Sequence, residues 1–427
     1  MSAPLAVILD GRVIGHLDRS STNNLRFTYL DDATGTGRTP LSLSMPLAGG
    51  SFTGPPVERF LRGLLPESDA ALTAIERGHP GTDRLDPLSV LAVIGQDCPG
   101  AVQFCRPPDA AAVVARTGAL VPQSAGQIEQ RIAVMRVDEG ASWSMPDEHW
   151  SLGGTQPKFA LRRIGDDWYE AHGSEPTSHI LKPGVHGMKA QSLVEHISMR
   201  AAAACGVDVA RTEHPSFKSE TAIVITRFDR VERDGTLVRL HQEDLCQALG
   251  VAQKYQEYGG PGASDIIRLL REQSPTARTA RANVDRFVDG LILNTVIAAP
   301  DAHARNYAVL LAGHDVRLAP LFDVSTSLPY DPTSRGHTLS MSVDGQYIAE
   351  LVTREHWSRF AAENDLDAER VVERAQQMAD IAPPAMLAAL DEVEDWDGSA
   401  AMLRERLTAA LEVYLPTLHA NLTGSRD

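Results

Sequence analysis

The chain has 427 residues, 43% hydrophobic, 22% charged and only 5% aromatic, a globular balance with room for two or three domains. Its formal net charge of −16 repels phosphate backbones and disfavours direct, unaided binding of DNA or RNA. Four cysteines without a CxxC pair point away from disulfides and zinc and towards a reducing cytoplasm, and MSAPLAVILDGRVIG lacks a signal-peptide pattern.

In chain order, LAVILDGRVIGHL predicts a hairpin about Asp10-Gly11, and LRFTYLDD a further strand. Pro55 to Leu65 has helical spacing, opened by proline and stopped by Pro66. Pro87 to Ile94 reads as a second helix, and Gly95 to Phe104 as a turn into a strand. Residues 1–108 are therefore expected to form a small α/β subdomain. Residues 109–150 have mixed composition, with turn residues in DEGASWSMPDEHW, and are expected to be a linker or boundary region.

From Ser151 the pattern changes. A glycine turn leads into the strands KFALRRI, DDWYEAH and SHILKP, then a helix from Gln191 to Ala204 and the strand AIVITRFDR. Residues 151–235 read as a β-rich lobe. Beyond Leu240 helices dominate, apart from a strand pair, YAVLL and VRLAPL, about Gly313-His314. Phe287 to Pro300 reads as a buried helix, too short to span a bilayer and interrupted by Asp289 and Asn294. Glu355 to His419 reads as helical, with a break at Pro383-Pro384. The fold class expected is α+β: the N-terminal subdomain, then a bilobal protein-kinase-like core with its larger, helical lobe at 236–427. That layout is one way to build a ligand cleft.

The sharpest chemical signal is Asp301-Ala-His-Ala-Arg-Asn306, followed after the strand pair by Asp323. Phosphoryl transfer needs a carboxylate facing the acceptor hydroxyl, and oxygen ligands that hold Mg²⁺ against the phosphates. Asp301 fits the base, and Asn306 and Asp323 the metal ligands. The plain alternative is a helix cap and a turn. Gly153 and Gly154, in SLGGTQPK, free the backbone to cradle a phosphate, or simply make a hairpin turn. Lys182 ends an apolar strand and can reach phosphates if Glu195 on the next helix holds it; otherwise both are solvated surface charges. In TRFDR, backbone groups at Thr226 and Phe228 suit an adenine edge and Asp229 a ribose hydroxyl, or the segment is an ordinary strand end. The six features stand in the order a kinase uses them, and that agreement outweighs any single motif.

LSLSMPL, FLRGLLPES and IGQDCPGAVQF, with SLGGTQPKFAL, SHILKP, RFDR, RLHQEDLCQALG, KYQEYGGPG, DAHARN and PLFDV, resemble the HipA family of bacterial toxin kinases over most of the chain. The resemblance implies an ATP- and Mg²⁺-dependent serine/threonine kinase in the cytoplasm that arrests growth by phosphorylating a translation component such as an aminoacyl-tRNA synthetase. It implies a HipB-type helix-turn-helix antitoxin as partner, DNA contact only through that antitoxin, and no membrane. It adds Ser151, Thr155, Gln156, Lys158 and His303 to the ATP-binding set and makes Ser151 the autophosphorylated serine. Gln242 to Asp244 and Tyr255 to Gly262 are family-like but receive no chemistry. A nucleotide-binding pseudokinase, a small-molecule kinase and a direct repressor remain as alternatives.

Overall fold

The computed structural model describes residues 3–35, 37–138, 140–143, 147–185, 187–330 and 336–424. The chain divides into two compact units. One is Met1–His186 with Ser216–Ala252 and Val309–Val316; the other is Gly187–Pro215 with Gln253–Ala308 and Arg317–Asp427.

In the first unit the strands Leu5–Leu9 and Arg12–Arg19 pair about Asp10 and Gly11, at φ 51° and 72°. Two left-handed residues are what a two-residue hairpin turn demands, and Asp-Gly supplies them at low strain. The first sheet runs Ser51–Thr53, Leu25–Tyr29, Arg12–Arg19, Leu5–Leu9, Gln103–Cys105. Helix Pro55–Gly63 buries Val57, Phe60 and Leu61. Helix Pro87–Ile94 spans the predicted residues, with Asp86 as its cap.

A second run of strands follows the order Ile223–Thr226, His179–Lys182, Phe159–Ile164, Asp167–His172, Ala119–Gln123. The last of these corrects the expected linker at 109–150. Ala119–Gln123 pairs antiparallel with Asp167–His172 as an end strand, where Pro122 is tolerated. Helix Ala125–Val137 comes next, opened by a Ser124/Gln127 capping box and burying Ile128, Ile132 and Met135. Parts of the expected boundary, at 139 and 144–146, lie outside the described residues. The division between 1–108 and 151–235 also differs from expectation. Phe27, Phe60 and Phe104 share one hydrophobic cluster with Phe159, Leu181 and Val224, so the two stretches bury one core.

The second unit is mostly helical. Gln191–Ala204 and Ser399–Thr423 both pack against Ala368–Asp391, which also touches Ala277–Val296. The break expected at Pro383-Pro384 is absent. Helix Ala368–Asp391 continues through both prolines, and the chain turns instead before Gly398. Each proline removes a backbone donor, but burial of Ala379, Ala382, Pro383 and Met386 holds the helix together. Among the described residues, no helix is long and apolar enough to cross a membrane.

Candidate active site

In the second unit, helix Ala277–Val296 starts at the Thr276 cap and carries the chain to Asp301. Gly290 lies on one face of it. A β-carbon there would sit 3.4 Å from the Tyr307 ring and 3.6 Å from Leu321, so glycine admits both. One turn further on, Asn294 Nδ2 donates to the Tyr307 hydroxyl at 2.9 Å. The helix thereby fixes the chain on the far side of the motif as well as on the near side.

The Asp-x4-Asn motif closes on itself. His303 N donates to Asp301 O at 2.9 Å and Asn306 N to His303 O at 2.9 Å. Asn306 Nδ2 donates to Asp301 O at 2.7 Å. The amide nitrogen is thus committed to backbone, which turns the amide oxygen to the other side. Asp301 keeps a side chain 56% exposed, whereas His303 is buried. Burial lowers the His303 pKa against the pull of Asp301, so the imidazole is neutral at pH 7. Its Nε2 lies 3.6 Å from Asp301 Oδ1.

Asp323 is anchored from both sides. Leu321 exchanges backbone hydrogen bonds with Asp208 and Ala210 at 2.8 and 2.9 Å. Beyond it, Thr326 Oγ1 donates to Ile297 O at 2.5 Å and Ser327 Oγ to Ala298 O at 2.7 Å. Between these holds Asp323 takes φ +58°, a left-handed conformation that aspartate tolerates and that gathers at functional sites. Asp301, Asn306 and Asp323 line one small pocket together with Asn294 and Tyr307.

The donor set fits Mg²⁺. Asp301, Asn306 and Asp323 bring side-chain oxygens to the pocket, and the buried Asn294 Oδ1 has no hydrogen-bond partner among the described residues. Such an orphan suits a water of a hydrated cation. Among the described residues no three His, Cys, Asp or Glu side chains form a metal cluster, and Mg²⁺, which keeps several waters, needs none.

In the first unit the glycine turn is gripped by the N-terminal segment. Ser151 N donates to Asp97 O at 3.0 Å, and Glu67 N to Gly154 O at 3.1 Å. The Ser151 hydroxyl is fully buried and donates to Leu64 O. Gly153 has to be small, since a β-carbon would lie 2.8 Å from Gly63 O, and Gly154 takes φ +95°. Lys158 Nζ donates to Gly153 O at 2.6 Å, crossing the turn. Thr155 is exposed at the tip; Gln156 is half-buried, with Oε1 lacking a hydrogen-bond partner among the described residues. Lys182 is buried at the end of its strand, paired in register with Ile223. Thr226 ends the adjoining strand and is half-buried, as is Phe228. In the second unit, Glu195 is buried on helix Gln191–Ala204.

The ribose-binding role expected of Asp229 is corrected by its surroundings. Asp229 is 3% exposed. Its Oδ1 accepts from Arg227 Nε at 3.0 Å; its Oδ2 accepts from Arg227 Nη2 at 2.9 Å and Gly100 N at 2.6 Å. Arg230 Nη1 lies 3.0 Å from the same Oδ2. Asp97 sits in the same cluster, touched by Arg227, Arg230 and Arg239. Burial alone would raise both carboxyls, but the guanidiniums outweigh it and hold both below the usual carboxylate range. Asp229 therefore knits Cys98–Gly100 to the strand end. The sequence signal that was available, alternating Arg and Asp in RFDR, is equally the signature of a buried ion cluster.

Two residues near the chemistry escaped sequence reasoning. Tyr255 donates its hydroxyl to Asp301 Oδ1 at 2.6 Å, and Asn294 lines the pocket from the preceding helix. The two tyrosines and three glycines of KYQEYGGPG were the available sign of the first, and a polar side chain inside an apolar helix was the sign of the second.

An exposed carboxylate, an amide five residues on and a second carboxylate in a left-handed turn, all on one pocket, are the kinds of group that phosphoryl transfer needs. Residues 150–386 match the HipA-like C-terminal domain and residues 5–105 the HipA N-terminal domain. The chain belongs to the HipA family. It is 30% identical over 407 residues to a putative kinase, Y4mE, of Sinorhizobium fredii, covering 92% of this chain and 93% of that one. It is 27% identical over 438 residues to the serine/threonine-protein kinase toxin HipA of Shewanella oneidensis, covering 96% of each. The solved complex of Shewanella oneidensis HipA with HipB and operator DNA contains a chain that superposes with a TM-score of 0.80 at 23% identity, over 99% of this chain and 100% of that one. The fold, expected from the sequence as α+β, is a mixed α/β arrangement that matches the HipA fold.

Proposed function

We propose that this chain is an ATP- and Mg²⁺-dependent serine/threonine-protein kinase of the toxin type. The observation that carries the reading is the gathering of Asp301, Asn306 and Asp323 on one pocket. Asp301 accepts the proton of the attacking hydroxyl, whose oxygen bonds to the γ-phosphorus as the bond to ADP breaks. Asn306 and Asp323 would hold Mg²⁺, which when bound neutralises phosphate charge. The backbone of Gly153 to Gln156, with Lys158 and Lys182, serves the phosphates. Backbone groups at Thr226 and Phe228 serve the adenine edge. His303, neutral and buried, shapes the floor beside Asp301.

Ser151 is the proposed autophosphorylation site. Its hydroxyl is buried on Leu64 O, so modification requires the turn to leave its seat. A phosphate of about −1.5 to −2 charge cannot then return to it. The partner proposed is a HipB-type antitoxin, supported by the HipA–HipB–operator DNA complex of the structural relative. With a net charge of −16, DNA contact runs through that antitoxin. The substrate proposed is a translation component of the cytoplasm, an aminoacyl-tRNA synthetase, whose phosphorylation arrests growth.

The test is phosphoproteomics after brief expression of wild type against Asp301→Ala, with metabolites analysed in parallel. Phosphopeptides, Ser151 among them, should arise with wild type and vanish in the variant. Equal phosphorylation by both would remove the base role of Asp301. Phosphate on a metabolite with none on protein would make the chain a small-molecule kinase.

A further inference from the structure

We propose that Tyr255 is a positioning residue for phosphoryl transfer, its hydroxyl holding one oxygen of Asp301 so that the other faces the acceptor. The inference rests on the reading of Asp301 as the base. Tyr255 Oη donates to Asp301 Oδ1 at 2.6 Å. An aspartate whose side chain is 56% exposed otherwise turns among its rotamers, and each turn misdirects its lone pairs. The Tyr255 ring is itself held edge-on against His303, with centroids 4.9 Å apart at 82°.

The segment KYQEYGGPG, which no other part of the reaction uses, is built to present this phenol. Gln253 Oε1 accepts from Lys254 N at 2.9 Å and Tyr255 N at 3.2 Å. Tyr255 O accepts from Tyr258 N at 3.1 Å and Gly260 N at 2.9 Å. That fold-back needs glycine. Gly259 has φ +86°, and a β-carbon at Gly260 would lie 2.7 Å from both Gln253 O and Tyr255 O. Gln256 Oε1 accepts from Ser342 N at 2.8 Å, which pins the far side of the loop. Ala304 N reaches Lys254 O at 3.4 Å, tying the loop to the turn that carries Asn306. The loop and the Asp-x4-Asn turn therefore form one braced piece, and the phenol–carboxylate bond is its outward end.

Tyr255 keeps its proton throughout, and the acceptor's proton passes to the other oxygen of Asp301. Little covalent work falls to the protein in such a reaction, so orientation dominates the rate. Losing one hydrogen bond to a carboxylate should slow transfer about tenfold.

The test uses the full chain with γ-labelled Mg-ATP, and reads label on the chain itself, KM for ATP and the melting temperature. Tyr255→Phe and Asp301→Asn are compared with wild type. The inference expects Tyr255→Phe to transfer about tenfold more slowly with unchanged KM and melting temperature, and Asp301→Asn to be inactive. A wild-type rate in Tyr255→Phe beside an inactive Asp301→Asn overturns the inference and leaves the base reading standing. An active Asp301→Asn overturns the base reading, and the inference with it. A slow Tyr255→Phe that also melts lower or binds ATP more weakly makes Tyr255 a fold element and overturns the positioning role.

Discussion

Replacing Asp97 with alanine should cost the first unit a large part of its stability. The carboxylate accepts from Thr177 N at 3.0 Å, Thr177 Oγ1 at 2.7 Å, Arg227 Nη1 at 3.3 Å, Arg230 Nη2 at 2.8 Å and Arg239 Nε at 2.9 Å. In the wild type, Asp97 and Asp229 face Arg227, Arg230 and Arg239. The substitution leaves three guanidiniums around one carboxylate. Removing one partner from a buried ion cluster costs about 3–5 kcal/mol, against a total of about 5–15 kcal/mol for a typical domain. The assay is urea denaturation followed by the fluorescence of Trp143 and Trp150, whose rings lie 4.5 Å apart in the same unit. Asp69→Ala, which breaks an exposed pair with Arg84, is the control and should cost no more than about 1 kcal/mol. The pH dependence has a definite sign. The Asp97 pKa is held below its ordinary value of 3.8, so its stabilisation is present above that pH and fades as pH falls further. An Asp97→Ala cost no larger than the control's would refute the reasoning, and Asp229 would then have to be reconsidered as a ligand-facing residue.

Two further outcomes are expected. Asp323→Asn should weaken Mg-ATP binding about tenfold or more, because a neutral amide is a poorer ligand for a hard cation; calorimetric titration checks it, and unchanged affinity counts against the metal role. Glu243 is buried, and burial pushes its carboxyl up to about 8 against the donors Leu43 N at 2.7 Å and Ser42 Oγ at 2.6 Å. A raised carboxyl makes stability fall as pH rises between 4.5 and that value. The wild type should therefore lose on the order of 3 kcal/mol between about pH 6 and about pH 9, while Glu243→Gln stays flat over that range in melting temperature.

Where the sequence and the structure agree, the information lies within a few residues. Asp10 and Gly11 make their turn because both accept left-handed backbone. The start of helix Pro87–Ile94 was marked by Pro87 and the small polar cap Asp86. The Asp-x4-Asn spacing is itself a local closure, since Asn306 reaches back to the carbonyl of Asp301. Pro383 and Pro384 misled because a local breaking signal yields when the helix around it is buried on several sides. The strand Ala119–Gln123 was hidden because its apolar alternation is weak at the end of a sheet.

The sequence alone determined the family and the local turns and named the candidate groups for chemistry, because backbone preference and motif spacing act over short stretches of chain. The tertiary structure decided which carboxylate is left open to solvent and which is enclosed in an ion cluster. Asp301 and Asp229 carry the same functional group, yet one faces solvent beside a phenol 46 residues away and the other is enclosed by guanidiniums and the amide of Gly100, 129 residues away. Solvation and charged neighbours set what a carboxylate does, and packing between distant parts of the chain supplies both.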